Sequence, residues 1–261
     1  MVWLGRRQRL ALGGQPARAL LNPHEMAFSA LAAAALVRDD AVLRAGYQAV
    51  FGSGPRAGDE QVLVHLAKAL AAFQRTLTSP PTAFDRLREA LARGDEQALA
   101  RYPEAAARGL KLFMGEARCH LCHAGAAFSN GEFADTGRPH FLPAGGVDPG
   151  RHGGLQALRA SRFNRLGPYA DDAGRGAVAT RHVRITHRNF GEFKVPTLRG
   201  LVHTAPYMHD GSLPTLTAVL VHYNELDEER LHADGERILR PLRFNEDQLA
   251  DLEAFLLTLS P

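Results

Sequence analysis

The chain has 261 residues, of which 45% are hydrophobic and 23% charged, proportions ordinary for a globular protein of one large or two small domains. Its formal net charge of +3 is too small to indicate a nucleic-acid binder, and no run of about eighteen apolar residues predicts a transmembrane helix. Two cysteines are too few for a secreted disulfide scaffold.

Helical patterns dominate the first part of the chain. Asn22, Pro23 and Glu25 fit the N-cap, N1 and N3 positions of a helix that would run to about Arg38. A second helix is predicted to end before the prolines at 80 and 81. Its apolar face comprises Leu63, Leu66, Ala67, Leu70, Phe73 and Leu77. Further helices are predicted over 84–92 and 103–117.

Residues 130–192, in the middle of the chain, have little hydrophobic periodicity, which predicts long loops with short strands. A cofactor around which the chain wraps would explain loops of this length. A helix is predicted after Pro214. The last helix has Asn245 as N-cap and Gln248 at N3. Its predicted buried stripe comprises Leu249, Leu252, Leu256 and Leu259. The predicted fold is therefore mainly α, with long irregular loops.

The two cysteines form part of a C-x-x-C-H motif at Cys119, Cys122 and His123, the attachment signature of c-type haem. Two thiols at this spacing can add to the vinyl groups of one porphyrin, and the following imidazole then ligates the iron. A thioredoxin-like pair would follow a strand, whereas this motif follows a predicted helix. A zinc site would need a second ligand pair, and the remaining histidines show no compact spacing. The motif therefore predicts haem.

Several segments extend this interpretation to nearly the whole chain. They include LLNPHEM from Leu20, AFQRTL from Ala72, GLKLF from Gly109 and the run FKVPTLRGLVHTAPYMHDGSLPTL from Phe193. In this order they resemble the bacterial di-haem cytochrome c peroxidase family, including its methylamine-utilisation (MauG-like) branch.

The resemblance implies two cytochrome c-like domains with one haem each. Residues 1–100 would be the remainder of the N-terminal, peroxidatic domain with connecting helices, and residues 101–261 the C-terminal domain. The N-terminal haem motif is expected upstream of Trp3, where this sequence does not contain it. The first residues also lack an export signal, although haem of this kind is attached outside the bacterial cytoplasm. We therefore expect the chain to be part of a longer protein.

Three residues are candidates for the sixth ligand of the iron. From haem chemistry, Met208 leads, since Met/His ligation is common in electron transfer. The resemblance instead places the axial position at Tyr223, where peroxidases carry Met and the MauG-like branch carries Tyr. A phenolate would stabilise oxidised iron. His222 is the third candidate, and Tyr223 could alternatively pack on the porphyrin edge.

The resemblance also implies a set of catalytic residues, Glu25, Gln15 and Trp3. Glu25 and Gln15 would lie near the distal face of the N-terminal haem, where a carboxylate can transfer a proton between the oxygens of peroxide. Trp3 would relay electrons between the haems. The alternatives are a capping-box role for Glu25 and a core position for Trp3.

Further ligands follow from the same resemblance. The backbone carbonyls of Thr204 and Pro206 would bind calcium between the domains, since carbonyl oxygens suit that cation. Without the resemblance this segment is a plain turn. Arg199 would pair with a haem propionate, or be a surface arginine.

The sequence therefore predicts a periplasmic c-type haem oxidoreductase, a cytochrome c peroxidase-like enzyme that reduces hydrogen peroxide. One haem c would be attached here and a second in the full-length protein, with calcium as a further cofactor. The expected electron donor is a small redox protein (a cytochrome c or cupredoxin) or an oxidisable protein substrate, and a homodimer is compatible with the resemblance. The alternatives are a single-haem electron carrier and an inactive fragment.

Overall fold

The computed structural model describes residues 14–52, 54–56, 58–138, 141–142, 145–229, 232–235 and 237–261. Over these residues the chain is mainly α-helical, as predicted. The helices are α1 (Gly14–Leu21), α2 (Ala30–Asp39), α3 (Ala41–Phe51), α4 (Asp59–Gln74), α5 (Ala83–Arg93), α6 (Glu96–Leu99), α7 (Glu104–Met114), α8 (Arg151–Ala160), α9 (Ala173–Thr180), α10 (Leu216–Asn224) and α11 (Glu246–Leu257). None of these described helices is long and apolar enough to cross a bilayer.

The chain divides into two compact units. The C-terminal unit comprises residues 79–155 and 185–261, and the N-terminal unit includes residues 14–78 and 156–184. The two units are defined by contacts within the folded chain, whereas the predicted domains are defined by the haem that each would bind. The predicted boundary near residue 100 therefore stays a prediction.

The core of the C-terminal unit is formed where α7 packs against α11. The two helices approach so closely at Gly109 that a Cβ atom there would lie 1.8 Å from the carbonyl oxygen of Asp251. Three buried phenylalanines, Phe113, Phe128 and Phe255, meet at this crossing in tilted and edge-to-face contacts. The close approach fixes α7, and α7 leads directly into the C-x-x-C-H segment.

The predicted last helix is confirmed in its cap and its buried stripe. Asn245 Oδ1 accepts a hydrogen bond from the backbone N–H of Gln248 at 2.9 Å, and the Gln248 side chain accepts one from the backbone of Asn245. Leu252 and Leu256 are buried on α11, and Leu259 is buried just beyond it. Local capping and helical periodicity agree here with the packing of the unit.

The predicted helix start at Asn22 is wrong. Helix α1 ends at Leu21, and Asn22 Oδ1 accepts a hydrogen bond from the backbone N–H of His24 at 3.0 Å, which closes a turn. The next helix begins only at Ala30, capped by Ser29. An asparagine side chain satisfies a turn as readily as a helix start, so the residue pattern did not distinguish the two.

The predicted apolar face of the second helix is correct only in part. Leu63 and Ala67 are buried on α4, whereas Phe73 is 60% exposed and Leu77 is 64% exposed. Helix α4 ends at Gln74, so Leu77 lies beyond it and no longer continues the helical face. Apolar spacing alone therefore extended the predicted buried stripe too far.

The segment 130–192 contains one of the short strands that its sequence predicts and much irregular chain, but two helices interrupt its loops. Strand β1 (Phe133–Ala134) pairs antiparallel with β2 (Phe193–Lys194). Helices α8 and α9 lie between them in sequence and were not predicted. Both helices contain glycines, which lower helix propensity and interrupt the apolar pattern.

A bidentate ion pair joins α5 to the segment after β2. Asp85, which also completes a capping box with Thr82 at the start of α5, accepts two hydrogen bonds from Arg199 at 2.7 and 2.8 Å. Arg199 Nε also donates to the carbonyl of Ala126. The Arg199 guanidinium holds the pKa of Asp85 well below its usual range. Three separate segments of the C-terminal unit are thereby tied together.

Replacing Asp85 by Asn is expected to lower the free energy of unfolding of the haem-loaded chain. The side chains of Asp85 and Arg199 are 20% and 21% exposed, so the loss should be roughly 1–3 kcal/mol, below the cost of about 3–5 kcal/mol for a fully buried pair. Because the pKa of Asp85 is lowered in the folded state, its stabilisation is complete above the ordinary carboxyl pKa of about 4 and declines as the pH falls below it.

Urea unfolding at pH 6 and at pH 3 measures both effects. The wild type should lose more stability on acidification than Asp85→Asn does. Asp39→Asn, at the exposed end of α2, is the control and should behave as the wild type. If acidification lowered the free energy of unfolding equally in the wild type and in Asp85→Asn, the pH dependence would not come from Asp85.

Candidate haem-binding site

The C-x-x-C-H segment forms a tight turn directly after α7. Arg118 adopts a left-handed backbone conformation (φ 52°), and residues Cys119–Leu121 form a single 3-10 turn. The backbone N–H of His123 donates to the carbonyl of Cys119 at 2.9 Å. The turn brings both thiols and the imidazole onto one short, internally bonded segment.

The imidazole of His123 is oriented by a backbone carbonyl. Its Nδ1 lies 3.0 Å from the carbonyl oxygen of Phe128, and since a carbonyl only accepts, Nδ1 carries the proton. Burial lowers the pKa of His123, which favours the neutral ring. In that tautomer Nε2 has the lone pair, and this is the arrangement in which histidines ligate metals.

The carbonyl of Phe128 is itself held on both sides. Phe128 is buried in the phenylalanine cluster and has a positive φ of 46°, a conformation that needs support in a non-glycine residue. The hydroxyl of Thr197 donates to the carbonyl of Ala127 at 2.6 Å, and the hydroxyl of Ser129 donates to the carbonyl of Val195 at 2.8 Å. These bonds fasten the loop after the motif to the segment after β2.

The two cysteines have the chemistry of buried thiols. Burial raises the pKa of Cys119 to about 11, with a smaller contribution from Cys122. Redox-active C-x-x-C pairs have the opposite property, because their nucleophilic cysteine has a lowered pKa. No disulfide joins these two cysteines, both of which belong to the described residues. Their environment disfavours the thioredoxin-like alternative.

Tyr223 lies in the last turn of α10. Thr215 caps this helix, and Leu216 and Leu220 are its buried residues, so Tyr223 follows at helical spacing on the buried face. Burial raises the pKa of its hydroxyl strongly, and the thiols of Cys119 and Cys122 raise it further. This influence of the two thiols indicates that Tyr223 lies on the side of α10 towards the attachment cysteines.

The two alternative sixth ligands lie in different environments. Met208 is partly buried in the turn between Tyr207 and Leu213, with a φ of 72°, and the backbone N–H of Tyr207 donates to the carbonyl of Leu213 at 2.7 Å. His222 Nε2 donates to the carbonyl of Thr136 at 3.2 Å. His222 is adjacent to Tyr223, so the two side chains leave α10 in different directions. The sixth ligand therefore stays a prediction, with Tyr223 first, Met208 second and His222 third.

The predicted peroxide-side residues are only partly described. Trp3 and the side chain of Gln15 lie outside the described residues. Glu25 is exposed in the turn after α1, where its Oε1 accepts a hydrogen bond from the Asn22 side-chain amide at 2.9 Å. The capping-box alternative for Glu25 is therefore wrong, because no helix begins at Asn22.

The remaining predicted ligands lie in the segment after β2. Arg199 has Asp85 as its anionic partner, and pairing with a haem propionate stays a prediction. Thr204 and Pro206 are exposed, and the hydroxyl of Thr204 donates to the carbonyl of Leu201 at 3.2 Å. Calcium binding by their carbonyls also stays a prediction.

Two features of the site were missed in the sequence. One is the carbonyl of Phe128. Every residue has a backbone carbonyl, so the sequence could not indicate that this one accepts a hydrogen bond from His123. The other is the Asp85–Arg199 pair, whose members are 114 positions apart. The capping pattern at Thr82 and Asp85 was a detectable signal for the start of α5, but not for its distant partner.

Two family models match the chain. The model described as di-haem cytochrome c peroxidase matches residues 1–95, and the model described as RoxA-like, cytochrome c-like matches residues 192–225. The second match includes Tyr223 and the whole of the long run that starts at Phe193.

Curated relatives extend the similarity along the chain. The methylamine utilization protein MauG of Methylorubrum extorquens is 37% identical over 195 residues, which cover 75% of this chain and 44% of that protein. MauG of Methylophilus methylotrophus is 30% identical over 265 residues, which cover 99% of this chain and 63% of that protein. The cytochrome c551 peroxidase of Nitrosomonas europaea is 31% identical over 258 residues, covering 99% and 60%. The chain thus spans about half the length of these relatives.

Solved structures have the same fold. A MauG-like protein associated with microbial copper homeostasis superimposes with a TM-score of 0.64 at 25% identity, covering 96% of this chain and 69% of that one. The diheme peroxidase BthA from Burkholderia thailandensis gives a TM-score of 0.65 at 20% identity, covering 96% and 63%. Together with the sequence matches, these similarities show that the chain belongs to the di-haem cytochrome c peroxidase family as a MauG-like member.

Proposed function

We propose that this chain comprises the end of the peroxidatic, N-terminal domain and the whole electron-transferring, C-terminal domain of a MauG-like peroxidase that reduces hydrogen peroxide. The observation that carries the proposal is the orientation of His123, whose Nδ1–H donates to the carbonyl of Phe128 at 3.0 Å and leaves Nε2 as a ligand. Tyr223 faces the same thiols from α10. A c-type electron-transfer haem uses two attachment thiols together with side-chain ligands to its iron.

The residues present fit a c-type haem, which the family implies. Cys119 and Cys122 would form the thioether bonds, and His123 and Tyr223 would be the axial ligands. Haem bound there supplies an iron that takes up and releases single electrons. The ion pair of Asp85 with Arg199, and the hydrogen bond from Arg199 to the carbonyl of Ala126, hold the loop after the motif in place.

Tyr223 is proposed to act as a phenolate ligand. Burial disfavours the charged form of Tyr223, so its proton leaves only where a positive centre beside the oxygen offsets that cost. A ferric ion is such a centre, and a phenolate ligand stabilises it over the ferrous ion. This choice of ligand would lower the reduction potential and favour the storage of oxidising equivalents.

Glu25 is proposed to move the proton of hydrogen peroxide. Its carboxylate can accept a proton from the substrate and return it to the oxygen that leaves as water. The hydrogen bond from Asn22 holds one carboxylate oxygen in place at 2.9 Å. Gln15 and Trp3 are proposed to act with Glu25, in binding the substrate and in relaying electrons respectively.

The family also suggests the setting in which this chemistry takes place. We propose a periplasmic protein with a second haem, with calcium bound by the carbonyls of Thr204 and Pro206. Electrons would come from a small redox protein such as a cytochrome c or cupredoxin, or from an oxidisable protein substrate, and the protein could form a homodimer. These proposals rest on the resemblance of the chain to longer relatives.

A single-haem electron carrier is the second candidate function, because the sequence contains one C-x-x-C-H motif. An inactive fragment is the third. The deciding experiment is to isolate the protein from the periplasm of its native host and to measure its intact mass and its covalent haem content. A longer chain with two haems supports the peroxidase, whereas this chain with one haem would exclude the di-haem mechanism.

Replacing Tyr223 by Met is expected to raise the reduction potential of the haem-loaded protein. Methionine is a softer, neutral ligand that favours the ferrous state, and the change should be on the order of a hundred millivolts or more, within the span of about 0.8 V set by axial ligands. Spectroelectrochemical titration measures the potential.

Met208→Leu and His222→Gln are the matched controls for this measurement. Both should leave the potential and the ferric absorption spectrum unchanged if Tyr223 is the ligand. A large shift in Met208→Leu together with a silent Tyr223→Met would identify Met208 as the sixth ligand instead.

Replacing Glu25 by Gln is expected to lower kcat/KM for hydrogen peroxide by about a hundredfold or more, because the amide cannot accept the proton. The measurement is peroxide-dependent oxidation of a reduced cytochrome c by the protein isolated from its host. Glu89→Gln, an exposed change on α5, is the control and should retain full activity. Undiminished activity in Glu25→Gln would remove Glu25 from the mechanism.

A further inference from the structure

Two histidines and an aspartate converge on the surface of the C-terminal unit, away from the C-x-x-C-H motif in sequence. His187 Nδ1 lies 2.8 Å and His232 Nδ1 lies 2.6 Å from the same oxygen of Asp234. The three ligand atoms all lie within 4.8 Å of one another. We propose that these residues bind a divalent transition-metal ion of the zinc class.

The tautomer of His232 supports this assignment. Its Nε2 lies 2.7 Å from the carbonyl oxygen of Phe190, and because a carbonyl only accepts, Nε2 carries a proton. In a neutral ring the lone pair is then on Nδ1, and it points at the carboxylate of Asp234. A contact of 2.6 Å between this nitrogen and a carboxylate oxygen requires a cation, which is either a proton on Nδ1 or a metal ion bound by both atoms.

The carbonyl of Phe190 gives His232 the outer support that metal-binding histidines usually have. Such a bond from the second ring nitrogen fixes the ring and increases its basicity as a ligand. The side chain of His232 is only 10% exposed, whereas His187 is 70% exposed. The site therefore has one fixed ligand and two adaptable ones.

The backbone also holds each ligand in place. His187 begins a 3-10 turn that Thr186 and Asn189 close with reciprocal hydrogen bonds. The carbonyl of His232 accepts a hydrogen bond from the N–H of Gly235 at 3.2 Å, which shapes the turn that carries Asp234. Both turns are closed by groups other than the three ligand atoms, so binding an ion requires only side-chain adjustment.

The ligand set identifies the class of ion. Two imidazoles and one carboxylate suit zinc, copper or nickel rather than calcium or magnesium, which prefer oxygen ligands. Tetrahedral zinc with bonds of about 2.0–2.1 Å needs ligand atoms about 3.3 Å apart. The observed separations of 2.6 and 2.8 Å would open by about half an ångström, and water would complete the coordination.

A bound ion would cross-link the loop that follows α10, the helix that carries Tyr223. This loop begins after α10 and is closed at its base by the hydrogen bond from the N–H of Leu242 to the carbonyl of Tyr223 at 3.2 Å. His232 and Asp234 hold its outer part against His187. A bound ion would thus tie the loop at a second point, independently of haem attachment.

Zinc binding to the haem-loaded full chain tests the proposal, with Zn²⁺ itself as the probe. Competition with a chromogenic chelator should show about one bound ion per chain. His187→Ala and Asp234→Asn should each weaken binding by more than about tenfold, the smallest loss typical of even an outer-shell change. Both residues are exposed, so neither variant should impair folding.

His182→Ala is the matched control, since His182 is exposed in the N-terminal unit and does not belong to the cluster. Its affinity for zinc should equal that of the wild type. X-ray absorption at the zinc edge should show nitrogen and oxygen ligands with imidazole scattering in the wild type. Absence of binding, or unchanged affinity in both His187→Ala and Asp234→Asn, would show that the cluster is only an imidazolium–carboxylate ion pair.

Discussion

The hydrogen bond from His123 to the carbonyl of Phe128 is the constraint on which the haem-binding site depends. An imidazole ligates iron only through an unprotonated nitrogen, and this carbonyl determines which nitrogen that is. Phe128 can present its carbonyl only because its ring is buried among Phe113 and Phe255. The packing of the phenylalanine cluster therefore also determines which nitrogen of His123 can bind iron.

The rest of the C-terminal unit can be understood as support for that carbonyl. Helix α7 delivers the attachment segment, and its close approach to α11 at Gly109 fixes where the segment starts. Arg199 reaches from the segment after β2 to the carbonyl of Ala126 and to Asp85 on α5. The loop after the motif is thus held from two directions although it contains little regular structure of its own.

Sequence predicted the features that depend on neighbouring residues. The haem motif, the cap at Asn245 and the mainly helical fold all follow from short-range spacing. The prediction of a helix start at Asn22 was wrong, because an asparagine that closes a turn and one that caps a helix occur in the same residue pattern. The pair of Asp85 with Arg199 and the convergence of His187 with His232 depend on long-range folding, so no local pattern contained them.

The two ends of α10 show how site and fold constrain each other. Thr215 fixes where the helix starts, and Leu216 and Leu220 fix its rotation by packing in the core. Helical spacing then puts Tyr223, three residues after Leu220, on the same face of α10. Beyond it, Asn224 exchanges hydrogen bonds with the backbone of Phe244 at 2.7 and 3.1 Å, which closes the following loop. An axial ligand in the last turn of a helix would be prone to fraying, and this closure removes that freedom. A metal ion bound farther out on the same loop would reinforce a restraint that the fold already provides.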